Sequence, residues 1–262
     1  MKLFTDGDIS GILKDEEYVQ IIRDSYKRAY SSGGREEVAT IKYDKPGSHR
    51  LLAHVIQEGD FCAVKWTPSI PGQIPRANPV IVLNDFRTGK PLAIFDAGRI
   101  SAYRTAATTR YVFEDCCPAE LKKEFQLLLI GKGPIAEAHK KFFPECSDVV
   151  TFDTSNSVPL HLPVNLVNTV LVVAVTEETI YPFIRFQVVD VLFFMADLCR
   201  YAVDALVHAQ FQNTFFDVDG ASGGVGVPLG LMIAPAKRTL FRSWGRGLSD
   251  LAICVELYKR LV

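Results

Sequence analysis

Two glycines, a proline and an alanine follow four apolar residues in the run Leu127-Leu128-Leu129-Ile130-Gly131-Lys132-Gly133-Pro134-Ile135-Ala136, and an acid, Asp153, closes the next apolar stretch about twenty residues on. This order suits a diphosphate. Gly131 permits a tight turn, Gly133 lets the backbone approach a pyrophosphate, and the small Ala136 lets the next helix pack close to the strand. The helix opening at Pro134 and Ile135 offers unpaired N–H groups and the positive end of its dipole to the phosphates. Asp153 is placed to accept hydrogen bonds from a ribose diol. Its charge repels a 2′-phosphate, so the pattern points to NAD(H) rather than NADP(H).

Composition limits what else the chain can do. Over 262 residues it is 48% hydrophobic and 23% charged with a net charge of −1, enough for a core but with no positive excess to attract nucleic acid or an acidic membrane. The N-terminus has no apolar signal core, and the most apolar stretches, Leu166–Val175 and Val188–Ala196, are too short to span a bilayer. The six cysteines, at 62, 116, 117, 146, 199 and 254, lack the paired spacing of a metal site, and the five histidines form no cluster. We therefore expect reduced thiols in a cytoplasmic protein and no metal.

The elements that must position these residues fall into two parts. Residues 15–31 carry apolar side chains at helical spacing, and Ser31-Ser32-Gly33-Gly34 stops that helix. Short strands follow at Val38–Tyr43, Arg50–Val55, Phe61–Trp66, Val80–Asp85 and Leu92–Asp96, the last two joined by the hairpin signal Thr88-Gly89-Lys90. A second helix covers Ile100–Phe113. From Gln126 the pattern becomes strand–helix alternation, with strands at Gln126–Ile130, Val149–Asp153, Val167–Val175, Val188–Met195 and Thr214–Val218 and helices at Ile135–Phe143 and Tyr201–Ala209. Only thirteen residues, Thr154 to Leu166, separate the second and third of these strands, too few for the usual helix and further strand. The expected fold is α/β: an α+β domain with an antiparallel or mixed sheet over 1–118, completed by a C-terminal helix within 240–262, and a shortened Rossmann domain over 119–239.

The segment Phe61-Cys62-Ala63-Val64-Lys65-Trp66, then Pro75-Arg76-Ala77, then Val80 to Ala93, ending at Ser101-Ala102-Tyr103-Arg104-Thr105-Ala106-Ala107, resembles the ornithine cyclodeaminase/μ-crystallin family. Members pair a substrate-binding and dimerisation domain with a Rossmann domain. Within the family the pattern looks closest to the siderophore-pathway dehydrogenases that oxidise N-(2-amino-2-carboxyethyl)-L-glutamate to 2,3-diaminopropionate and 2-oxoglutarate.

The resemblance implies roles residue by residue. Lys65 matches the family's active-site lysine, a group that polarises a carboxylate or imine or exchanges a proton with the substrate amine. Arg104 matches the arginine that grips the substrate α-carboxylate, Thr105 would face the cofactor phosphates, and Arg50 matches a second carboxylate-binding arginine. Asp197 matches an acid that relays the amine proton. Asp250, on the last helix, reads as an interdomain tether rather than a catalyst, and histidines 54, 139, 161 and 208 read as packed or solvent-facing. The implied activity is NAD-dependent interconversion of an amino acid and its imine or keto acid by a homodimer. The family leaves two alternatives: a cyclodeaminase-type lyase with catalytic NAD, and a non-catalytic ligand-binding protein like μ-crystallin.

Overall fold

A computed structural model of the chain describes residues 1–32, 34–42, 49–116, 119–152, 169–173, 191–195, 215–217, 239–242 and 247–262. It divides into two compact units, Met1–Thr108 with Arg246–Val262, and Thr109–Gly245. The predicted helix Tyr201–Ala209 and the segment Thr154 to Leu166 lie outside the described residues.

The first unit is built on a six-stranded sheet. Strands β2 (Arg35–Lys42), β3 (Arg50–Glu58), β4 (Phe61–Ser69), β5 (Val80–Asp85) and β6 (Pro91–Asp96) form an antiparallel series, and β1 (Lys2–Phe4) adds to β6 in parallel. The sheet is thus mixed, in the order β1-β6-β5-β4-β3-β2. The hairpin signal at Thr88 is realised by its hydroxyl and N–H donating to Asp85 Oδ1 at 2.8 and 2.7 Å.

Strand alternation splits this sheet into two unlike faces. On one face the rows His54–Lys65–Ile81–Phe95 and Ile56–Ala63–Leu83–Ala93 cross the register and are buried. After the short α1 (Asp6–Ile9), the helices α2 (Asp15–Ser32) and α6 (Gly247–Leu261) pack together, and α6 lies against β3 and β4. On the opposite face Leu3, Ile41, Val55, Val64, Trp66 and Val80 stay exposed. Helix α2 buries Tyr18, Val19, Ile22, Ser25 and Tyr26, the spacing of one helical stripe. In the sequence of α6, Leu248, Leu251, Ala252, Val255 and Tyr258 recur at helical spacing as one apolar face. In the structure Val255 and Tyr258 are only half-buried, while Ser249, Asp250, Ile253, Cys254 and Leu257 are buried with the rest, because the first turns of α6 are covered on all sides.

The second unit contains the C-terminal part of α3 (Gly98–Cys116), the short α4 (Ala119–Lys123), α5 (Pro134–Phe142) and a sheet of β7 (Gln126–Ile130), β8 (Asp148–Phe152), β9 (Thr169–Val173), β10 (Val191–Met195), β11 (Phe215–Asp217) and β12 (Thr239–Arg242). Every pairing is parallel, in the order β11-β12-β10-β9-β7-β8. Buried on both sides, such a sheet takes continuous apolar runs, and Leu127, Leu128 and Leu129 are all buried. Strand β12 lies where the sequence pattern showed none. Among the described residues, β8 is an edge. The strand order turns at β7, flanked by β8 and β9, the switch point beside which open α/β sheets bind ligands.

Below that point, Phe113, Phe125 and Phe143 pack with centroids 4.7–6.0 Å apart, and His139 of α5 is fully buried. His139 Nδ1 lies 2.7 Å from the Ile135 carbonyl, which can only accept, so Nδ1 carries the proton and Nε2 accepts from the Thr109 hydroxyl at 2.6 Å. The ring is neutral, and burial pushes its pKa down to about 4. An unfolded histidine takes up its proton near pH 6.5, so stability is fully present above that value and is lost as pH falls from there toward about 4. Urea unfolding across this range should show a loss approaching roughly 3 kcal/mol that His139→Gln lacks.

Candidate active site

Lys65 lies at the centre of β4, where a charged residue is least expected. Its neighbours Val64 and Trp66 point to the exposed face, and Lys65 points with Ala63 into the buried one, 4% exposed. An isolated ammonium there would be costly. The partner comes from α6, 185 residues along the chain: Lys65 Nζ donates to Asp250 Oδ2 at 2.7 Å. Arg104, on α3, donates from Nε to the other oxygen, Asp250 Oδ1, at 3.2 Å. One fully buried carboxylate therefore holds two cations. Burial opposes the charge on Asp250, but Lys65 and Arg104 outweigh it and hold its carboxyl below the usual range. Burial, opposed by Asp250 and aided by Arg104, draws the Lys65 ammonium below the ordinary lysine range.

The reading of Asp250 as a tether between domains is corrected by this geometry. Its helix and both of its partners belong to the first unit. Its burial had one sequence signal, an acid set between apolar residues in the string Leu248-Ser249-Asp250-Leu251-Ala252. Two further residues carried no signal. Glu36 on β2 accepts from the first N–H of α6, Gly247 N, at 2.6 Å, and from His54 Nδ1 at 2.7 Å. It thus caps the helix that delivers Asp250. Gly247 is required for this approach: a Cβ there would lie 2.7 Å from Ile56 and 2.8 Å from Glu36 Oε1.

The other expected residues are dispersed. Thr105 is buried beside Arg104, and its hydroxyl donates to Ser101 O at 2.7 Å within its own helix. Arg50 sits on β3 opposite Ser69, and its Nε is buried without a hydrogen-bond partner. Asp153 and Asp197 lie outside the described residues.

In the second unit, the glycine turn leads from β7 straight into an uncapped helix start. Gly131 leaves β7 with φ of 107°, a conformation that favours glycine. Gly133 is the N-cap of α5, Pro134 its first residue, and no side chain caps the first turn. A Cβ at Gly133 would meet nothing within 4 Å, so its surroundings are open to a ligand. Ala136 is fully buried, as close helix packing demands. These residues fit a diphosphate held by backbone N–H groups. Among the described residues no group of three metal-ligating side chains occurs, and no helix is long and apolar enough to cross a membrane.

Residues 22–156 match the ornithine cyclodeaminase/mu-crystallin family over about half of the chain. The chain belongs to this family. An NAD(P)H-dependent anabolic L-arginine dehydrogenase of Pseudomonas aeruginosa is 37% identical over 89 residues, 34% of this chain, and the match spans only 27% of that protein's length. The iminosuccinate reductase of Paracoccus denitrificans, solved with NAD+, superposes with a TM-score of 0.69 at 14% identity, covering 98% of this chain and 95% of the other. The Δ1-pyrroline-2-carboxylate reductase of Thermococcus litoralis, solved with NADH and L-proline, gives 0.67 at 16% identity over 99% and 97%. At such identities the likeness establishes the shared α/β fold.

Removing one member of a buried ionic cluster strands its partners, at a typical cost of 3–5 kcal/mol. Asp250→Asn should therefore lower unfolding stability by about 3 kcal/mol or more in denaturant titration. Asp60→Asn, which breaks the exposed pair with Arg87, should leave the midpoint within error of the parent protein.

Proposed function

We propose that the protein is an NAD-dependent oxidoreductase that interconverts an α-amino acid and its imine, which water then hydrolyses to a keto acid. The observation that carries this reading is the pair of cations on one buried carboxylate. Two positive groups against one negative leave the three with a net positive charge, suited to a substrate carboxylate. A guanidinium fork suits the α-carboxylate, so Arg104 is its grip, and Asp250 orients that fork through Nε. Lys65, whose proton affinity burial reduces, exchanges a proton with the substrate amine as the α-carbon loses or gains hydride. Asp197 is the second group assigned to that proton.

The dinucleotide is assigned to Gly131, Gly133, Pro134 and Ile135, with Asp153 on its ribose and Thr105 toward its phosphates. When bound, it supplies the hydride acceptor or donor. Arg50 is assigned to a second carboxylate, and the finer reading is a siderophore-pathway substrate of the N-(2-amino-2-carboxyethyl)-L-glutamate type. NADH formation by the full chain should be assayed with L-arginine and with that N-carboxyalkyl amino acid. Lys65→Met should lower kcat by about 100-fold or more, while Arg104→Gln should chiefly raise KM. Absence of any thermal shift with NAD+ or NADH would refute the reading, and ammonia release without net NADH would make the protein a lyase.

The exposed face of the first unit's sheet is assigned to a homodimer contact. Ile41, Val55, Val64, Trp66 and Val80 are exposed on one face of the sheet, and apolar side chains gathered on one face suit an interaction surface. Light scattering should report a dimer, and Val55→Glu combined with Val64→Glu should yield a monomer.

A further inference from the structure

His54 is buried on the same face of the sheet as Lys65, and the antiparallel register sets the two residues directly opposite each other on β3 and β4. Such cross-strand neighbours lie about 5 Å apart at Cβ. The ring is fixed by one bond, Nδ1 to Glu36 Oε1 at 2.7 Å. An ionised carboxylate can only accept, so Nδ1 carries a proton, and in the neutral ring Nε2 keeps a lone pair. Among the described residues Nε2 makes no hydrogen bond. An imidazole set in one tautomer by a carboxylate, with its other nitrogen unused, has the form of a proton carrier rather than a packing residue. His54 also shares a field with the charged cluster: burial opposes the charge on Asp250, while Lys65, Arg104 and His54 all favour it.

Strand order supplies a direction. Lys65 lies on β4, His54 on β3 and Glu36 on β2, the last strand of the sheet among the described residues. Glu36 is a diagonal neighbour of His54 in the β2–β3 register and is partly exposed. Its bond from Gly247 N at 2.6 Å holds the carboxylate in place. Lys65, by contrast, is 4% exposed and bonded to Asp250, so a proton that it accepts has no direct way to water. A ring that takes a proton at Nε2 can release one from Nδ1, so charge crosses from one side of His54 to the other without the ring turning.

We propose that His54 and Glu36 form a proton exit route, in which His54 Nε2 takes from Lys65 Nζ, directly or through one water, the proton that Lys65 removed from the substrate amine, and Glu36 passes it to solvent at the sheet edge. In amino-acid oxidation the substrate ammonium gives up one proton along this route. The α-carbon gives up hydride to the oxidised dinucleotide, and the C–N single bond becomes double. In imine reduction the same route delivers the proton inward. The identity of the proton donor rests on the oxidoreductase reading, but the link from Lys65 to His54 is read without turnover.

That link is tested by nitrogen-15 NMR of the imidazole nitrogens in the full chain at mildly alkaline pH. We expect His54 to show the Nδ1–H tautomer, and its Nε2 resonance to move in Lys65→Met but not in the surface variant Asp60→Asn. In turnover, His54→Asn offers Glu36 a donor near the Nδ1 position but carries no proton. Its kcat should fall about tenfold or more with KM near that of the parent protein. The isotope effect from α-deuterated substrate should shrink as proton transfer becomes limiting, and added imidazole should restore part of the rate lost in His54→Ala. An Nε2 resonance indifferent to Lys65→Met, an Nε2–H tautomer, an unchanged kcat in His54→Asn, or a loss in His54→Ala that imidazole leaves untouched would overturn the route. A His54 resonance that responds to Lys65→Met in a protein forming NADH from no amino acid would retain the link and remove the redox reading instead.

Discussion

A carboxylate fully withdrawn from water, holding an ammonium on one oxygen and a guanidinium on the other, is the interaction around which the first unit is organised. Burying three charges is unfavourable unless each is paired, and the pairing here draws on β4, α3 and α6 at once. That requirement brings the C-terminal helix back to a sheet built from the first hundred residues. It also accounts for the glycine at the start of α6 and for Glu36, whose carboxylate caps that helix in a space no side chain at 247 would leave. The same pairing holds Lys65 and Arg104 in defined positions.

The second unit presents polar groups by different means. Its β7–α5 turn has no described side-chain cap and relies on backbone N–H groups exposed by a glycine pair at the sheet's switch point. A backbone grip needs the helix held close and rigid. Ala136 provides the close approach, and the neutral His139, bonded at both ring nitrogens, secures α5 from its buried side. The first unit thus concentrates side-chain charge, and the second leaves backbone N–H groups uncapped at the start of a helix.

Strand alternation gives the first sheet its two roles. One residue apart on β4, Lys65 enters the charged centre and Trp66 joins an apolar surface. A one-residue slip in register would exchange these faces. The buried residues across the sheet, Ile81 and Phe95 in the Lys65 row, are the hydrophobic force that opposes such a slip.

Local order was legible in the residues themselves. The hairpin at Thr88, the strands from Arg50 to Asp96 and the glycine turn at Gly131 each rest on contacts within a few positions, and hydrophobic period and turn chemistry encode those directly. The parallel addition of β1, the strand β12 and the true buried face of α6 were not legible, because each depends on surfaces supplied by distant segments. Lys65 and Arg104 were singled out through the family resemblance, yet neither periodicity nor spacing could show that one acid joins them. Asp250 looked like a tether since a carboxylate's meaning depends on what surrounds it, and its two cations lie 185 and 146 residues away. Sequence alone thus determined the locally encoded elements and the chemical types available. Only tertiary structure decided which charges share a buried site, because pairing across such distances is set by packing and not by the local chain.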